Sequence, residues 1–199
     1  MKVKIKKEGK VESFNLINSW ADVTLSTWLQ LIDFETGTKT EEAEATLEAL
    51  SDIPKQLVRE LSLSDVAVIM SKIGELQAKQ DTKLKRIIEI NDVEYGFHPD
   101  LDSITLGEYA DIEQFIKNGI DKQLPELMSV LYRPIKLKKN EIYIIDSYDG
   151  DIRLRAEEMK LMSAEQVQSA LVFFYTLGKV LSEIMPSYLM ERLQEMKTQ

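Results

Sequence analysis

The sequence predicts an α+β fold, mainly helical, with two tandem lobes that each consist of a β-hairpin followed by helices. Alternating apolar and polar residues occur in two separate stretches, and each stretch precedes segments with apolar residues at helical spacing. The segment Thr24 to Phe34 (TLSTWLQLIDF) also returns in similar form as Thr105 to Phe115 (TLGEYADIEQF). This recurrence predicts an internal duplication, with a first lobe over 1–80 and a second lobe over 84–199.

Equivalent positions in the two segments carry identical or similar residues. The pairs are Thr24 with Thr105, Leu25 with Leu106, Trp28 with Tyr109, Leu31 with Ile112, and Phe34 with Phe115. Each Thr is placed to cap a helix, because its hydroxyl oxygen can accept a hydrogen bond from a free N–H of the first turn. Two unrelated amphipathic helices are the alternative, since such helices share apolar spacing by necessity. The recurring order of hairpin, helix and helix favours duplication.

In the first lobe, the alternation around Glu8-Gly9 predicts a hairpin whose residues Val3, Ile5, Val11 and Phe14 are able to share one buried face. Helices are then predicted from Thr24, over Glu41 to Leu50, after Pro54, and after a cap at Ser64. The polar run Gln77 to Lys83 is the predicted boundary between the lobes.

The second lobe is predicted to open with a hairpin over Ile87 to Phe97 that turns at Asn91-Asp92. Thr105 and Glu108 have the spacing of a capping box. The remaining predicted elements are a helix over Leu124 to Tyr132 stopped by Pro134, a strand over Glu141 to Ile145, a helix over Ile152 to Leu161, a helix behind a Ser163/Gln166 capping box, and a last helix from Pro186.

Composition restricts the classes of function. The formal net charge of −9 disfavours nucleic-acid binding, which needs clustered Lys and Arg against the phosphate backbone. A chain without Cys has no disulfide, thiolate nucleophile or zinc-thiolate site. The N-terminal residues lack the apolar segment of a secretory signal, and the most apolar run, Ala170 to Met185, is too short and too charged to span a bilayer. We therefore expect a protein with no membrane partner.

Residues suited to catalysis are few. The single histidine, His98, precedes a proline and is interpreted as a loop residue rather than as a general base or metal ligand. The acidic turn contains Asp146, Asp149 and Asp151 around Gly150, but it does not fit the spacing of a calcium-binding loop. We therefore expect a solvated turn, no bound cofactor or metal, and no enzymatic activity, with a small metal-dependent enzyme as the alternative.

Four stretches carry a resemblance to a known family. They are the motif W-x-D-[VI]-T-L-x-x-[WY] at Trp20 to Trp28, EYGFHPDLDSITLGEYADIE at Glu94 to Glu113, LMSVLYRPI at Leu127 to Ile135, and SALVFFYTLG at Ser169 to Gly178. Together they resemble a poorly characterised protein family of tailed bacteriophages that infect Bacteroidales and relatives, including crAss-like phages. The resemblance implies a virion-associated or assembly protein and transfers no catalytic residues.

The function expected from this resemblance is non-enzymatic binding to other phage structural proteins of the portal, tail or capsid. The protein would be in the host cytoplasm during assembly and then in the virion. A transient tail-assembly chaperone is an alternative, and a homo-oligomer is left open. The second lobe has extra apolar elements, and Met and aromatic residues are enriched at interface cores, so Tyr188, Leu189 and Leu193 on the last helix are the predicted partner-binding residues.

Overall fold

A computed structural model describes residues 1–7, 10–33, 37–78 and 83–173 of the chain. These residues form an α+β fold with two small antiparallel sheets, which confirms the predicted fold class. Within the described ranges, no helix combines the length and the hydropathy that crossing a bilayer requires.

The first sheet is a hairpin of β1 (Lys2–Lys7) and β2 (Lys10–Asn15). Val3 and Ile5 are buried as predicted, but Val11 is exposed. The reason is the register, which pairs Ile5 with Glu12 and so places Val11 on the opposite face of the hairpin.

Four helices follow among the described residues of the first half of the chain. They are α1 (Leu25–Asp33), α2 (Lys39–Leu50), α3 (Lys55–Val58) and α4 (Leu63–Ala78). The cap of α4 is Ser62 rather than the predicted Ser64, because the Asp65 N–H donates to Ser62 Oγ at 3.1 Å. A single-turn 3-10 helix at Trp20–Asp22 precedes α1.

The second sheet has the strand order β3-β4-β5-β6. Its strands are β3 (Ile87–Ile90), β4 (Val93–Phe97), β5 (Tyr132–Lys139) and β6 (Ile142–Ile145). Asn91 and Asp92 form the predicted turn with positive φ angles of 51° and 62°. The helix predicted before Pro134 is present over Leu124–Leu131, but the strand that follows it was not predicted. Pro134 lies inside that strand, β5, and pairs with Tyr95 of β4.

The described residues of the second half contain the helices α5 (Leu106–Lys117), α6 (Leu124–Leu131), α7 (Arg153–Met159) and α8, which is described over 164–173. The predicted Ser163 cap of α8 is present, because the Gln166 N–H donates to Ser163 Oγ at 3.2 Å. Phe173 packs edge to face on Phe97 at 5.3 Å between ring centroids, so α8 contributes to the core.

The buried apolar residues form two clusters, one in each half of the chain. The first contains residues of β1 and of α2 to α4, and the second contains residues of the four-stranded sheet and of α5 to α8. Each cluster also takes a residue from the other half: Leu25 belongs to the second cluster and Ala164 to the first. The start of α1 therefore joins the two halves.

The element order of the first half recurs in the second. Hairpin, single-turn 3-10 helix and helix appear as β1, β2, Trp20–Asp22 and α1, and again as β3, β4, Leu101–Ser103 and α5. In both halves a further helix follows. The order agrees with the predicted repeat, and duplication of one ancestral unit stays a prediction.

Candidate functional site on helix α5

Helix α5 begins with the predicted capping box. The backbone N–H and the hydroxyl of Thr105 both donate to Glu108 Oε2, at 2.7 Å and 2.6 Å, and the Glu108 N–H donates to Thr105 Oγ1 at 3.3 Å. These bonds occupy donors that the first turn of a helix leaves free. One carboxylate oxygen of Glu108 is thereby fixed in position.

The other oxygen of Glu108 faces two basic side chains. Arg133 Nη2 lies 2.6 Å from Glu108 Oε1, and His98 Nε2 lies 3.5 Å from the same oxygen. The exposed fractions are 1 % for Glu108, 4 % for Arg133 and 7 % for His98. A buried carboxylate thus lies between a guanidinium and an imidazole, which come from β5 and from the residue after β4.

Backbone pairing between distant parts of the chain brings these three groups together. The His98 N–H donates to the carbonyl of Leu131 at 2.7 Å, so the end of β4 is tied to the end of α6. Arg133 follows two residues later in the chain and pairs with Gly96, which has no side chain of its own. The buried cluster of His98, Glu108 and Arg133 therefore links α5 to the middle of the sheet.

The environment lowers the pKa values of all three members of this cluster, and burial is the main cause for Arg133. Burial lowers the pKa of His98 from its ordinary value of 6.5, and Arg133 adds to this effect although Glu108 opposes it. Burial raises the pKa of Glu108, but the hydrogen bonds from Thr105 and the charge of Arg133 outweigh it, so its pKa lies below 4.5. Near neutral pH the cluster holds a neutral imidazole and a Glu–Arg ion pair.

Tyr148 extends the cluster toward the surface. Arg133 Cζ lies 5.8 Å from the centroid of the Tyr148 ring, within the range of a cation–π contact. The Tyr148 hydroxyl donates to Asp111 on α5, and burial together with this bond raises the pKa of Tyr148. Asp111 and Glu108 are one turn apart, so the sheet side of α5 is held at two successive turns.

This arrangement is suited to positioning rather than to catalysis. A general base must reach the proton that it removes, whereas the His98 ring is more than nine-tenths buried and lies against Glu108. Breaking a buried ion pair by removing one partner is strongly destabilising. The cluster therefore fixes how α5 sits on the sheet.

The outer face of α5 is apolar and exposed. We use this name for Leu106, Tyr109 and Ile116, which are all exposed large side chains. They occupy positions i, i+3 and i+10 of the helix, which lie on one side of it. The intervening position i+7 is Glu113, which forms an ion pair with Lys117 at 3.0 Å.

The equivalent position in α1 has the opposite burial. Leu25 is 0 % exposed, whereas Leu106 is 84 % exposed. Leu25 is covered at the start of α8, where its N–H donates to the carbonyl of Met162 at 2.7 Å. The described residues provide no such cover for Leu106.

The acidic turn pairs its carboxylates with basic side chains. Asp146 lies 2.9 Å from Lys136, Asp149 lies 3.4 Å from Arg155, and Asp151 lies 3.6 Å from Arg153. Among the described residues, no group of three or more His, Asp or Glu side chains is arranged to hold a metal ion. The predicted partner-binding residues Tyr188, Leu189 and Leu193 lie outside the described residues.

Sequence reasoning missed the contacts of His98 and the roles of Arg133 and Tyr148. It placed His98 in a loop, which is correct, but gave it no partner. One signal was present, because Arg133 stands in the apolar run LMSVLYRPI and a buried guanidinium needs a carboxylate. The sequence does not say that Glu108 supplies it.

The comparisons with known proteins add no family to this description. No family model, curated protein or solved structure matches the chain. The fold defines the class of this chain as an α+β protein. Its candidate site is helix α5, which buried charges hold on the sheet side and which is apolar on its outer face.

Proposed function

We propose that this chain is a non-enzymatic protein of a tailed bacteriophage that binds other phage proteins near the portal or tail, through the outer face of α5. The observation that carries the proposal is the exposure of Leu106 at the position where the matching Leu25 is covered. The four stretches that resemble a tailed-phage family supply the biological setting, with assembly in the host cytoplasm and retention in the virion.

The chemistry of the outer face favours an amphipathic helix as the occupant. An apolar stripe along a helix is typically covered by another helix that presents apolar residues at matching spacing. Tyr109 adds an aromatic side chain, a residue type enriched where interfaces gain most of their energy. Because the buried cluster of His98, Glu108 and Arg133 fixes α5 beforehand, binding would not have to order this helix.

The proposal is tested by following the protein through infection with a phage that encodes it. A tagged chain should copurify with portal, tail or capsid proteins, and mass spectrometry of purified particles should find it retained. Leu106→Ser combined with Ile116→Ser should abolish both results. Leu154→Ser, a change at another exposed leucine on α7, is the matched control and should leave both intact.

Two other results would point to the alternatives. A protein that binds tail components in infected cells but is absent from purified particles would be a transient tail-assembly chaperone. Calorimetric binding of calcium, magnesium or manganese that is lost on replacing Asp149 would instead support a metal-dependent enzyme. The ion pairs of Asp146, Asp149 and Asp151 with basic side chains give that second alternative no support.

A further inference from the structure

The hairpin of β1 and β2 has one closed edge and one open edge. Its sheet contains two strands, so each strand has an outer edge. The segment after α2 closes the edge of β2, because the Asn15 N–H donates to Asp52 Oδ1 at 2.6 Å and the Asp52 N–H donates to the carbonyl of Asn15 at 3.0 Å. Within the described ranges, β2 is the only strand that pairs with β1, so the outer edge of β1 is unpaired there.

The register shows which backbone groups point toward the open edge. Met1 and Leu16 exchange two backbone hydrogen bonds, of 2.8 Å and 2.6 Å. Successive pairs of an antiparallel ladder alternate between bonded and non-bonded, so the next pair, Lys2 with Asn15, makes no such bonds across the hairpin. The outward bonds of Asn15 agree with this assignment. The backbone N–H and C=O groups of Lys2, and of Lys4 two residues later, therefore point toward the open edge.

The two faces of β1 differ in chemistry at this edge. Lys2 and Lys4 share the exposed face, and neither forms an ion pair with a described residue. The residues opposite them on β2 are uncharged. Val3 and Ile5 lie on the other face and are buried in the first cluster. A strand added here would therefore meet two unpaired positive charges on one face and apolar side chains on the other.

We propose that the outer edge of β1 binds an extended segment of a partner protein in which acidic and apolar side chains alternate. The acidic side chains lie beside Lys2 and Lys4, where opposite charges on neighbouring strands stabilise the pair. The apolar side chains lie beside Val3 and Ile5 and extend the buried face. The outward backbone groups of the two lysines bond to the backbone of the segment, as in other cases of strand addition to a sheet edge.

Charge argues against two other occupants of this edge. Antiparallel pairing of β1 with a second copy would match outward residues with outward residues, and every outward residue of β1 is a lysine. Lysine would then face lysine in any register, and such charges protect an edge from self-pairing. A nucleic acid has no donors along its phosphates for the outward carbonyls, and the net charge of −9 opposes it. This contact is separate from the outer face of α5.

Fluorescence anisotropy of labelled peptides with the full chain tests the proposal. One peptide alternates Glu and Val, and the control peptide has the same composition with all Glu residues before all Val residues. We expect the alternating peptide to bind, the control peptide to bind much more weakly, and an oligothymidylate of similar charge not to displace the bound peptide. No binding of the alternating peptide, equal binding of the two peptides, or displacement by the oligothymidylate overturns the proposal.

Charge reversal tests the two lysines. Lys2→Glu combined with Lys4→Glu should weaken binding of the alternating peptide by about tenfold or more, because two attractive cross-strand pairs become repulsive. Lys122→Glu combined with Lys139→Glu changes the net charge equally at two exposed lysines of the second half and should leave binding nearly unchanged. Equal weakening by the two double variants overturns the proposal.

Amide hydrogen exchange followed by NMR tests the backbone contact in the natural chain, and it decides if the charge-reversed variant fails to fold. The Lys4 N–H has no partner across the hairpin, so we expect it to exchange fast in the free chain and to be protected once the alternating peptide is bound. The Ile5 N–H points toward β2 and should change little. A Lys4 amide that exchanges equally fast with and without bound peptide overturns the proposal.

Discussion

Helices α1 and α5 both begin with Thr-Leu, yet the chain closes their first turns in different ways. The first turn of α1 is closed by backbone from another part of the chain, since the N–H groups of Leu25 and Ser26 donate to the carbonyls of Met162 and Lys160 at 2.7 Å and 3.0 Å. The first turn of α5 is closed within itself, by the carboxylate of Glu108.

This difference shows how one local sequence can serve two purposes. At α1 the connection covers Leu25 and joins the two halves of the molecule. At α5 the self-contained cap needs no covering segment, so Leu106 stays open while Glu108 turns inward to Arg133. A helix that is anchored by its inner charges can keep an apolar outer face available, which is the basis of the proposed function.

The largest effect is expected from Glu108→Gln. Glutamine can keep the capping box with Thr105, so the change mainly removes the negative charge beside Arg133. Leaving a buried charge without its partner costs about 3–5 kcal/mol of the free energy of unfolding. Urea denaturation at neutral pH measures this loss.

Glu113→Gln is the matched control, because it removes an exposed carboxylate from the same helix and should cost less than about 0.5 kcal/mol. Equal losses for the two variants would show that the buried cluster does not anchor α5.

The second prediction compares the two leucines directly. Leu25→Ala should lower the free energy of unfolding by about 2–5 kcal/mol, since a fully buried leucine leaves a cavity. Leu106→Ala should change it by no more than about 0.5 kcal/mol, because the side chain is exposed. Denaturation of the two variants in parallel measures the difference. A large loss for Leu106→Ala would mean that Leu106 is covered in the isolated chain.

The parts of this comparison that sequence could predict are local ones. The capping box of Thr105 and Glu108 spans four residues, and its reciprocal bonds follow from spacing alone. The turn at Asn91-Asp92 and the strand β6 were predicted for the same reason. Turn residues and β-branched residues favour a particular backbone conformation at their own positions, so no distant contact has to be known.

The parts that sequence could not predict depend on how distant segments align. The pair of Glu108 and Arg133 requires β5, which was missed because Pro134 was interpreted as a helix stop. The exposure of Val11 depends on the register of β1 with β2. Leu25 and Leu106 are identical in type and in helical position, so only the tertiary fold assigns one to the core and the other to the surface.

The third prediction concerns the two Thr caps. Thr24 Oγ1 accepts a bond from the Thr27 N–H at 3.2 Å, and Thr105 Oγ1 accepts one from the Glu108 N–H at 3.3 Å. Each Thr→Ala change should cost about 1 kcal/mol. Thr105→Ala should cost more than Thr24→Ala, because the Thr105 hydroxyl also donates to the buried carboxylate of Glu108, whereas the Thr24 hydroxyl bonds to the neutral hydroxyl of Thr27. Thermal or urea denaturation checks the order, and a larger loss at Thr24 would contradict it.

The smallest effect is expected in the pH dependence of stability. The pKa of His98 in the folded protein lies below its ordinary value of 6.5, so between these two pKa values the unfolded chain binds more protons than the folded one. The stability that neutral His98 contributes is therefore complete above pH 6.5 and is lost as the pH falls toward the folded pKa. The chain has no other histidine, so this part of the pH dependence belongs to His98.

Urea denaturation at pH 7.5 and pH 5.5 should show a drop in the free energy of unfolding for the natural chain and a smaller drop for His98→Gln. Glutamine is polar and uncharged at both pH values, so it mimics only the neutral imidazole. Both proteins should lose further stability below pH 4.5, because the folded pKa of Glu108 is also lowered and protonation there breaks the pair with Arg133. An equal drop in both proteins between pH 7.5 and pH 5.5 would contradict this prediction. It would mean that His98 accepts a proton as readily in the folded protein as in the unfolded chain, so that burial does not disfavour the charged imidazole.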